Sequence, residues 1–271
     1  MNSETVSPDP VALHIDARGI ARVTLDNPDK HNAFDDRIIA QLTEAFVAVG
    51  SNDQVRALVL ASSGKSFSAG ADLNWMRRMA GYGEQENRRD ANALAQMLNC
   101  LSLLPVPSIA RVQGAAFGGA VGLVSCCDMA VATPRASFCL SEVKIGLIPA
   151  TISPYVIDAM GARAARRYFT TAEKFSAETA YRLGLISELE DTEAAMDSRI
   201  EQLLDAIIAN GPVAVRAAKQ LVTDFAGRDI DQDVIADTST RIAATRVSAE
   251  GQEGLNAFLE KRRPAWATQN K

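Results

Sequence analysis

The sequence is poor in the residues on which several common catalytic and metal sites depend. Its only histidines are His14 and His31, and its four cysteines show no C-x-x-C spacing. No metal site is therefore predicted. No serine–histidine–aspartate triad is expected either, because neither histidine has an obvious serine partner. The cysteines, including the neighbours Cys126 and Cys127, are predicted to be buried reduced thiols.

Charge and hydropathy exclude further classes of function. A net charge of −5 gives no general affinity for nucleic acid or for an anionic membrane. No window reaches the ~18 apolar residues of a membrane-spanning helix. Neither a P-loop nor a G-x-G-x-x-G fingerprint occurs. The polar, acidic residues 1–10 resemble no secretory or mitochondrial targeting segment, and we expect a disordered tail and a cytoplasmic protein.

The order of apolar stretches is typical of an α/β protein. Val11–Ile15 and Ile20–Leu25 alternate in polarity, which predicts a β-hairpin. Asp35 is expected to cap the helix that follows. The continuous apolar run Val55–Leu60 predicts a strand that is covered on both faces. Strands and helices alternate to about residue 150, whereas the pattern from Ser153 onward predicts helices.

Two glycine-containing turns carry the functional hypothesis. The stretch Ile109–Asp128 predicts a short strand followed by an uncharged helix that is entered through Gly118 and Gly119. The other turn, Phe67–Leu73, reads F-S-A-G-A-D-L. Backbone N–H groups at such turns lack helical acceptors, and two of them, at Ala69 and Gly119, would stabilise an enolate as an oxyanion hole. Alternatively, the glycines only let helix and strand approach closely.

One carboxylate and two groups of cations are further candidates. Glu142 follows a predicted strand in the apolar context F-C-L-S-E-V. It is either desolvated, with a raised pKa suited to proton transfer, or ion-paired and structural. The loop Asn27–Asn32 and the basic Lys261–Arg263 offer cations to a phosphate-bearing ligand, or are simply a solvated loop and helix end.

Together these stretches resemble the crotonase, or enoyl-CoA hydratase/isomerase, superfamily. The similarity extends from N-P-D-K-H-N-A-F at Asn27–Phe34 to A-F-L-E-K-R-R-P-A-W at Ala257–Trp266. Three longer runs are similar to bacterial 3-methylglutaconyl-CoA hydratases of leucine and isovalerate breakdown: F-S-A-G-A-D-L-N-W-M-R-R-M, G-A-A-F-G-G-A-V-G-L-V-S-C-C-D and S-E-V-K-I-G-L-I-P-A-T-I-S-P-Y. The isohexenylglutaconyl-CoA hydratases are close neighbours.

The resemblance implies an architecture and a set of partners. It implies an α/β fold with a crotonase-like spiral of ββα units over residues 11–190, followed by a C-terminal helical trimerisation region over residues 191–271. The expected assembly is a homo-oligomer, either a trimer or a hexamer built as a dimer of trimers. The expected substrate is an acyl-CoA thioester, and no separate cofactor is implied because coenzyme A enters as part of the substrate. Neither nucleic acid nor membrane is an expected partner.

The resemblance also assigns roles to individual residues. It places the oxyanion hole at the N–H groups of Ala69 and Gly119, in agreement with the glycine argument. Two residues, Phe258 and Lys261, are expected to reach the coenzyme A bound to a neighbouring subunit. The other expected coenzyme A contacts lie on two segments: Lys30, His31, Ala33, Ala69, Gly70, Ala71, Asp72 and Leu73.

One position departs from the family pattern. Typical hydratases hold the attacking water between two glutamates, and the first of these positions is Gly122 here, whereas the second is Glu142. The space at Gly122 would admit either a further water or the distal carboxylate of a branched diacid substrate. We expect the carboxylate, which either Lys144 or Arg77 would meet. The chemistry is then hydration, with Glu142 handling both proton transfers, or double-bond isomerisation by Glu142 alone.

Two alternatives belong to other classes of function. RNA binding would need a basic helix face, but the predicted helix at Asn87–Leu104 offers only Arg88 and Arg89, beside Asp90. A catalytically idle scaffold would bind acyl-CoA without converting it.

Overall fold

The structure is a computed structural model that describes residues 9–268. Most of the predicted N-terminal tail, residues 1–8, lies outside the described residues. The strands are β1 (Val11–Ile15), β2 (Ile20–Leu25), β3 (Ala57–Ser62), β4 (Ser108–Val112), β5 (Ala116–Phe117), β6 (Met129–Ala132), β7 (Ser137–Cys139), β8 (Phe175–Ser176) and β9 (Glu188–Leu189). The helices are α1 (Asp36–Gly50), α2 (Leu73–Met79), α3 (Glu84–Ser102), α4 (Gly119–Cys126), α5 (Ser153–Thr171), α6 (Ala177–Leu183), α7 (Glu193–Ile208), α8 (Pro212–Phe225), α9 (Gln232–Val247), α10 (Ala249–Leu259) and α11 (Ala265–Thr268).

Two sheets organise the first two thirds of the chain. The larger has the strand order β1-β2-β3-β4-β6-β9, and only its edge strand β1 runs antiparallel to its neighbour. The β1–β2 hairpin confirms the predicted pairing, with Val11 opposite Leu25. The smaller sheet has the order β5-β7-β8. Its strands β5 and β7 precede helix α5 in the chain, and β8 follows that helix. It is this smaller sheet that brings the candidate site residues together.

The strand β3 is covered on both faces, as its continuous apolar sequence predicts. Leu58 and Leu60 pack into the main core with helices α1, α3 and α4. Val59 points to the opposite face, where Ile200 and Leu204 of α7 cover the sheet. Successive residues of a strand alternate between faces, so two apolar layers require a run without polar positions.

The helical C-terminal part begins differently from the sequence-based prediction. The helix α5 starts at Ser153, and Gly161, with φ of 78°, interrupts it. Two short strands follow where only helices were expected, because β8 joins the small sheet and β9 pairs with β6 of the large one. Strands of two residues show no alternation in sequence, so polarity patterns do not reveal them.

The described residues, 9–268, do not meet the requirements of a membrane-spanning helix, a three-ligand metal site or a disulfide. No helix there is long and apolar enough to cross a bilayer. In the same range, no three His, Cys, Asp or Glu side chains are grouped so that they could hold a metal ion. The four cysteines are free thiols; Cys126 and Cys139 are buried, and Cys100 and Cys127 are partly buried. Desolvation raises the pKa of both buried thiols, which keeps them protonated.

Candidate active site

The two glycine-containing turns lie side by side. The Ser68 N–H donates to the Ala115 carbonyl at 3.0 Å, and the Phe117 N–H donates to the Ser68 carbonyl at 3.0 Å. Gly70 has φ of 88°, and a Cβ there would lie 2.8 Å from the Phe117 oxygen. A side chain at Gly70 would thus be strained and would also push the turns apart. The two turns can lie this close together because residue 70 is a glycine.

The N–H of Ala69 is not available to a substrate. It donates to the carbonyl oxygen of His31 at 2.9 Å, and the next N–H, that of Gly70, donates to the Ser68 hydroxyl at 3.1 Å. The expectation that Ala69 supplies an oxyanion-hole donor is therefore corrected. A backbone donor that already has a good acceptor gains little by turning to another.

The free N–H of this turn belongs to Ala71. Phe34 donates to the Gly70 oxygen at 2.9 Å and accepts from the Asp72 N–H at 3.0 Å, which forms a parallel bridge between Phe34 and Ala71. The hydrogen bonds of such a bridge use the neighbours of the paired residue, so the N–H of Ala71 points away from Phe34. Within the described part of the chain this N–H has no acceptor.

A second free N–H opens helix α4. Gly118, with φ of 54°, donates to the Cys139 oxygen at 2.8 Å, and the N–H of Gly119 has no acceptor among residues 9–268. The start of a helix also carries partial positive charge. The Phe34 ring lies against Gly119, since a Cβ there would be 2.7 Å from Phe34 Cζ. Phe34 thus contacts both segments that carry a free donor.

The carboxylate of Glu142 lies beside Gly118, in the turn that leads into helix α4. A Cβ on Gly118 would be 3.3 Å from Glu142 Oε1, so the carboxylate occupies the space that a side chain there would fill. Its Oε2 is buried and has no hydrogen-bond partner in the described residues. Desolvation raises the pKa of this carboxyl above its ordinary value. Of the two alternatives for Glu142, the structure shows the desolvated one.

Gly122 does not open a space for the substrate. A Cβ at this position would lie 2.3 Å from Ile152 Cγ2 and 2.8 Å from Ile152 Cβ. Ile152 is 1% exposed and belongs to the main core. The hypothesis that a distal carboxylate enters at Gly122 is therefore wrong. An isoleucine fills the volume, and Glu142 has no second carboxylate facing it from helix α4.

The environment of Glu142 predicts a gain in stability when its charge is removed. A carboxyl whose pKa is raised on folding penalises the native state once pH exceeds its ordinary value near 4.5. The penalty grows as pH rises through the folded-state pKa and is absent below the unfolded-state value. We expect Glu142→Gln to stabilise the protein by roughly 1 kcal/mol at pH 7.5. Urea denaturation should show this gain disappearing toward pH 4.

The exposed Glu44→Gln on α1 is the matched control for that measurement and should show no such trend. A stability difference for Glu142→Gln that is equal at both pH values would contradict a desolvated carboxyl.

Comparison with known proteins identifies the family. The model of the enoyl-CoA hydratase/isomerase family matches residues 16–269. The chain belongs to this family. A crystal structure of an enoyl-CoA hydratase from Shewanella pealeana is 48% identical, covers 95% of this chain and 96% of that chain, and superposes with a TM-score of 0.91. Pseudomonas aeruginosa AtuE is 32% identical, with coverage of 96% and 100% and a TM-score of 0.91. A crotonyl-CoA hydratase from Syntrophomonas wolfei is 29% identical over 90% of this chain and 93% of that protein.

Membership of the enoyl-CoA hydratase/isomerase family confirms the coarse predictions from the sequence. The mixed α/β crotonase fold is confirmed by the structural neighbours. So is the enzyme class, because the relatives are named enoyl-CoA hydratases, which are hydro-lyases. The names of these relatives do not show which acyl chain this protein accepts.

The residues expected to contact coenzyme A in this family member lie on two adjoining segments. The Lys30 ammonium is 3.5 Å from the Asp72 carboxylate, which also caps α2. His31 is exposed, and its Nδ1 lies 3.3 Å from the Ser66 hydroxyl. Leu73 is 68% exposed, whereas Ala33 is buried. The loop after β2 and the turn Phe67–Leu73 therefore form one surface beside the free N–H groups of Ala71 and Gly119.

The structure does not bring Phe258 and Lys261 into this surface. Phe258 is 81% exposed on α10, which packs against α8 and α9. Lys261 follows that helix with φ of 53°. Their contact with coenzyme A on a neighbouring subunit stays a prediction.

Sequence reasoning missed residues that shape the site from a distance. Asn32 is buried and left-handed, and its amide donates to the Ser63 and Ser66 carbonyls at 2.7 and 2.9 Å. Its Oδ1 accepts from the Asn27 N–H at 2.9 Å, so one side chain holds the loop in place. The frequent use of asparagine at left-handed positions was an available signal. Ile152 gave none, because a lone isoleucine between Thr151 and Ser153 indicates no role in a site.

Proposed function

We propose that the protein reversibly adds water across the double bond of a branched dicarboxylic enoyl-CoA thioester, converting 3-methylglutaconyl-CoA into 3-hydroxy-3-methylglutaryl-CoA. The observation that carries this proposal is the desolvated, unpartnered Glu142 carboxylate beside Gly118, next to the free N–H of Gly119. The choice of acyl chain is supported by the similarity of three long runs to hydratases of this type.

The oxyanion hole in this proposal is formed by Ala71 and Gly119. Their N–H groups would donate to the thioester oxygen as it gains negative charge, and each such donor contributes about 3 kcal/mol in a site without water. Donors without protein acceptors are ready for this charge before the reaction begins. Ala71 takes the part first assigned to Ala69.

One carboxylate carries both proton transfers. Ionised Glu142 accepts a proton from water while the water oxygen bonds to C3 and the C2–C3 π electrons move to the thioester oxygen. Protonated Glu142 then returns that proton to C2 as the enolate collapses, so atoms and charge balance. A raised pKa suits both steps because it makes the ionised carboxylate a stronger base toward water.

A double-bond isomerase is the second candidate, and the single carboxylate favours it. Moving a proton between C4 and C2 requires one base and an oxyanion hole but no activated water. The same residues would serve, so the structure of the site does not separate the two reactions. The substrate offered and the mass of the product do.

The first experiment is mass spectrometry of 3-methylglutaconyl-CoA incubated with the protein. We expect the mass to rise by one water, because Glu142 can both activate water and return its proton. A 3-enoyl-CoA is supplied in parallel, and a conjugated product of unchanged mass would establish the isomerase instead. Isohexenylglutaconyl-CoA tests the neighbouring substrate class. If only that longer thioester gained water, the acyl chain proposed here would be wrong.

The proposal includes a cytoplasmic homo-oligomer, a trimer or a hexamer. Apolar side chains exposed on the C-terminal helices, among them Phe258 and Leu259, support an assembly that covers them. Sedimentation of the purified protein as a monomer would exclude it.

A further inference from the structure

The small sheet aligns three residues in a row beside the site. Phe117 of β5 lies opposite Cys139 of β7. In the antiparallel pair β7–β8, Phe138 is opposite Phe175, and one further step of the same register places Lys174 opposite Cys139. Residues directly opposite on neighbouring strands share a face. Phe117, Cys139 and Lys174 therefore form one row, which we call the Lys174 row.

The two faces of the small sheet have different environments. Phe138 and Phe175 are buried in the main core and stack with ring centroids 5.5 Å apart. They alternate along the strands with the Lys174 row, which faces the other way. In that row Cys139 is buried, Phe117 is half-buried and Lys174 is exposed. The row thus leads from the interior to a cation at the surface.

The Lys174 ammonium lies over an aromatic ring rather than beside a carboxylate. It is 4.9 Å from the centroid of the Phe117 ring. Across residues 9–268 no carboxylate oxygen is within ion-pair distance of it. A ring face attracts an ammonium weakly and leaves its three N–H donors unused. The Lys174 ammonium is thus held in place by the ring, and its N–H groups can still bind an anion.

The row adjoins both catalytic elements of the proposed reaction. Phe117 directly precedes Gly118 and Gly119, and the Cys139 carbonyl accepts the Gly118 N–H at 2.8 Å. Glu142 follows Cys139 by three residues on the same connection. A cation anchored on the Phe117 ring therefore lies beside the segment that carries Gly118 and the free N–H of Gly119.

The two cations named from the sequence are placed less favourably. Arg77 donates to the Asn74 Oδ1 at 2.5 Å in the last turn of α2. Lys144 is exposed in the 3-10 segment Glu142–Ile145 and contacts no aromatic ring of residues 9–268. Neither is fixed against a residue that borders the free donors, as Lys174 is fixed against Phe117.

We propose that Lys174 binds the distal carboxylate of a dicarboxylic acyl-CoA thioester and selects diacids over neutral acyl chains. This inference rests on the proposed function, from which it takes the diacid substrate. In a five-carbon diacid thioester the carboxylate lies two carbons beyond the carbon that receives water. The acid/base group and the cation are then two different side chains, and here Glu142 follows β7 while Lys174 precedes its neighbour β8.

Binding of saturated thioesters tests this role without turnover. Glutaryl-CoA and butyryl-CoA, which cannot be hydrated, are used as competitive inhibitors or titrated by calorimetry. We expect Lys174→Met to weaken glutaryl-CoA binding by about 10- to 100-fold, because an ion-paired hydrogen bond is lost. Butyryl-CoA binding should stay within twofold of its original strength. Lys144→Met removes the same charge nearby and should change neither, and Lys174→Arg should keep the preference for glutaryl-CoA.

Each other outcome overturns a stated part of the argument. If Lys174→Met weakened both thioesters equally, Lys174 would be structural. If it left glutaryl-CoA binding unchanged, the carboxylate would be bound elsewhere. If wild type preferred glutaryl-CoA through Lys174 but added no water to 3-methylglutaconyl-CoA, the proposed function would fail while the role of Lys174 stood.

Discussion

Glu142→Gln is expected to lower kcat for water addition by about 10²- to 10⁴-fold, the usual contribution of a general acid/base. The amide keeps the shape that fits beside Gly118 but cannot accept a proton from water. The binding of the thioester should change little, because the free N–H groups of Ala71 and Gly119 remain. Loss of absorbance by the conjugated thioester measures the rate directly.

The design of this experiment separates chemistry from folding. Glu44→Gln, at an exposed position on α1, carries the same change and should retain full activity. In wild type, kcat/KM should fall as pH drops through the raised pKa of Glu142, since only the ionised form activates water. A Glu142→Gln variant that is folded and retains more than a tenth of the activity would exclude Glu142 as the acid/base group.

The sequence predicted where the donors lie but not which N–H is free. Ala69 and Ala71 both flank Gly70 in the turn, and nothing local separates them. The difference comes from acceptors in a distant part of the chain: the His31 carbonyl occupies one N–H, and the bridge to Phe34 leaves the other free. Local glycine chemistry is encoded in neighbouring residues, whereas the pairing of two loops is a tertiary property.

Long elements with strong periodicity were predicted well for the same physical reason. The cap of α1 at Asp35, which accepts from the Ile38 N–H at 3.1 Å, and the buried strand β3 depend on residues within the element. The strands β8 and β9, of two residues each, depend on partners instead. Lys174 gains its position from β8, so sequence patterns pointed to Lys144 and Arg77 in its place.

The interpretation of Gly122 shows how a missing side chain misleads. A glycine in place of a larger residue indicates empty space only if the neighbours stay where they are. Protein interiors are close-packed, so a vacated volume is normally taken by another side chain. Here Ile152 fills it from the start of α5, 30 positions further along the chain. The absence of a glutamate at position 122 and the presence of an isoleucine at position 152 are therefore linked, because the two side chains would need the same space.

Gly122→Ala is accordingly expected to destabilise the protein by about 1–3 kcal/mol, the cost of forcing a methyl group into a packed core. Ile152→Ala alone should cost about 2–5 kcal/mol through the cavity it leaves. In the double variant the new methyl enters that cavity, so the combined loss should be smaller than the sum by about 1–3 kcal/mol. Urea denaturation of the four proteins measures this coupling.

Gly81→Ala is the control substitution, since a Cβ there would meet only the Arg78 carbonyl at an ordinary 3.5 Å. It should combine additively with Ile152→Ala, because the two positions share no contact. Additive losses for Gly122→Ala and Ile152→Ala as well would mean that Ile152 does not fill the position of the missing side chain. Coupling confined to the Gly122 pair would establish that the single-carboxylate site is enforced by packing: a glutamate at residue 122 could not be accommodated until Ile152 was reduced in size.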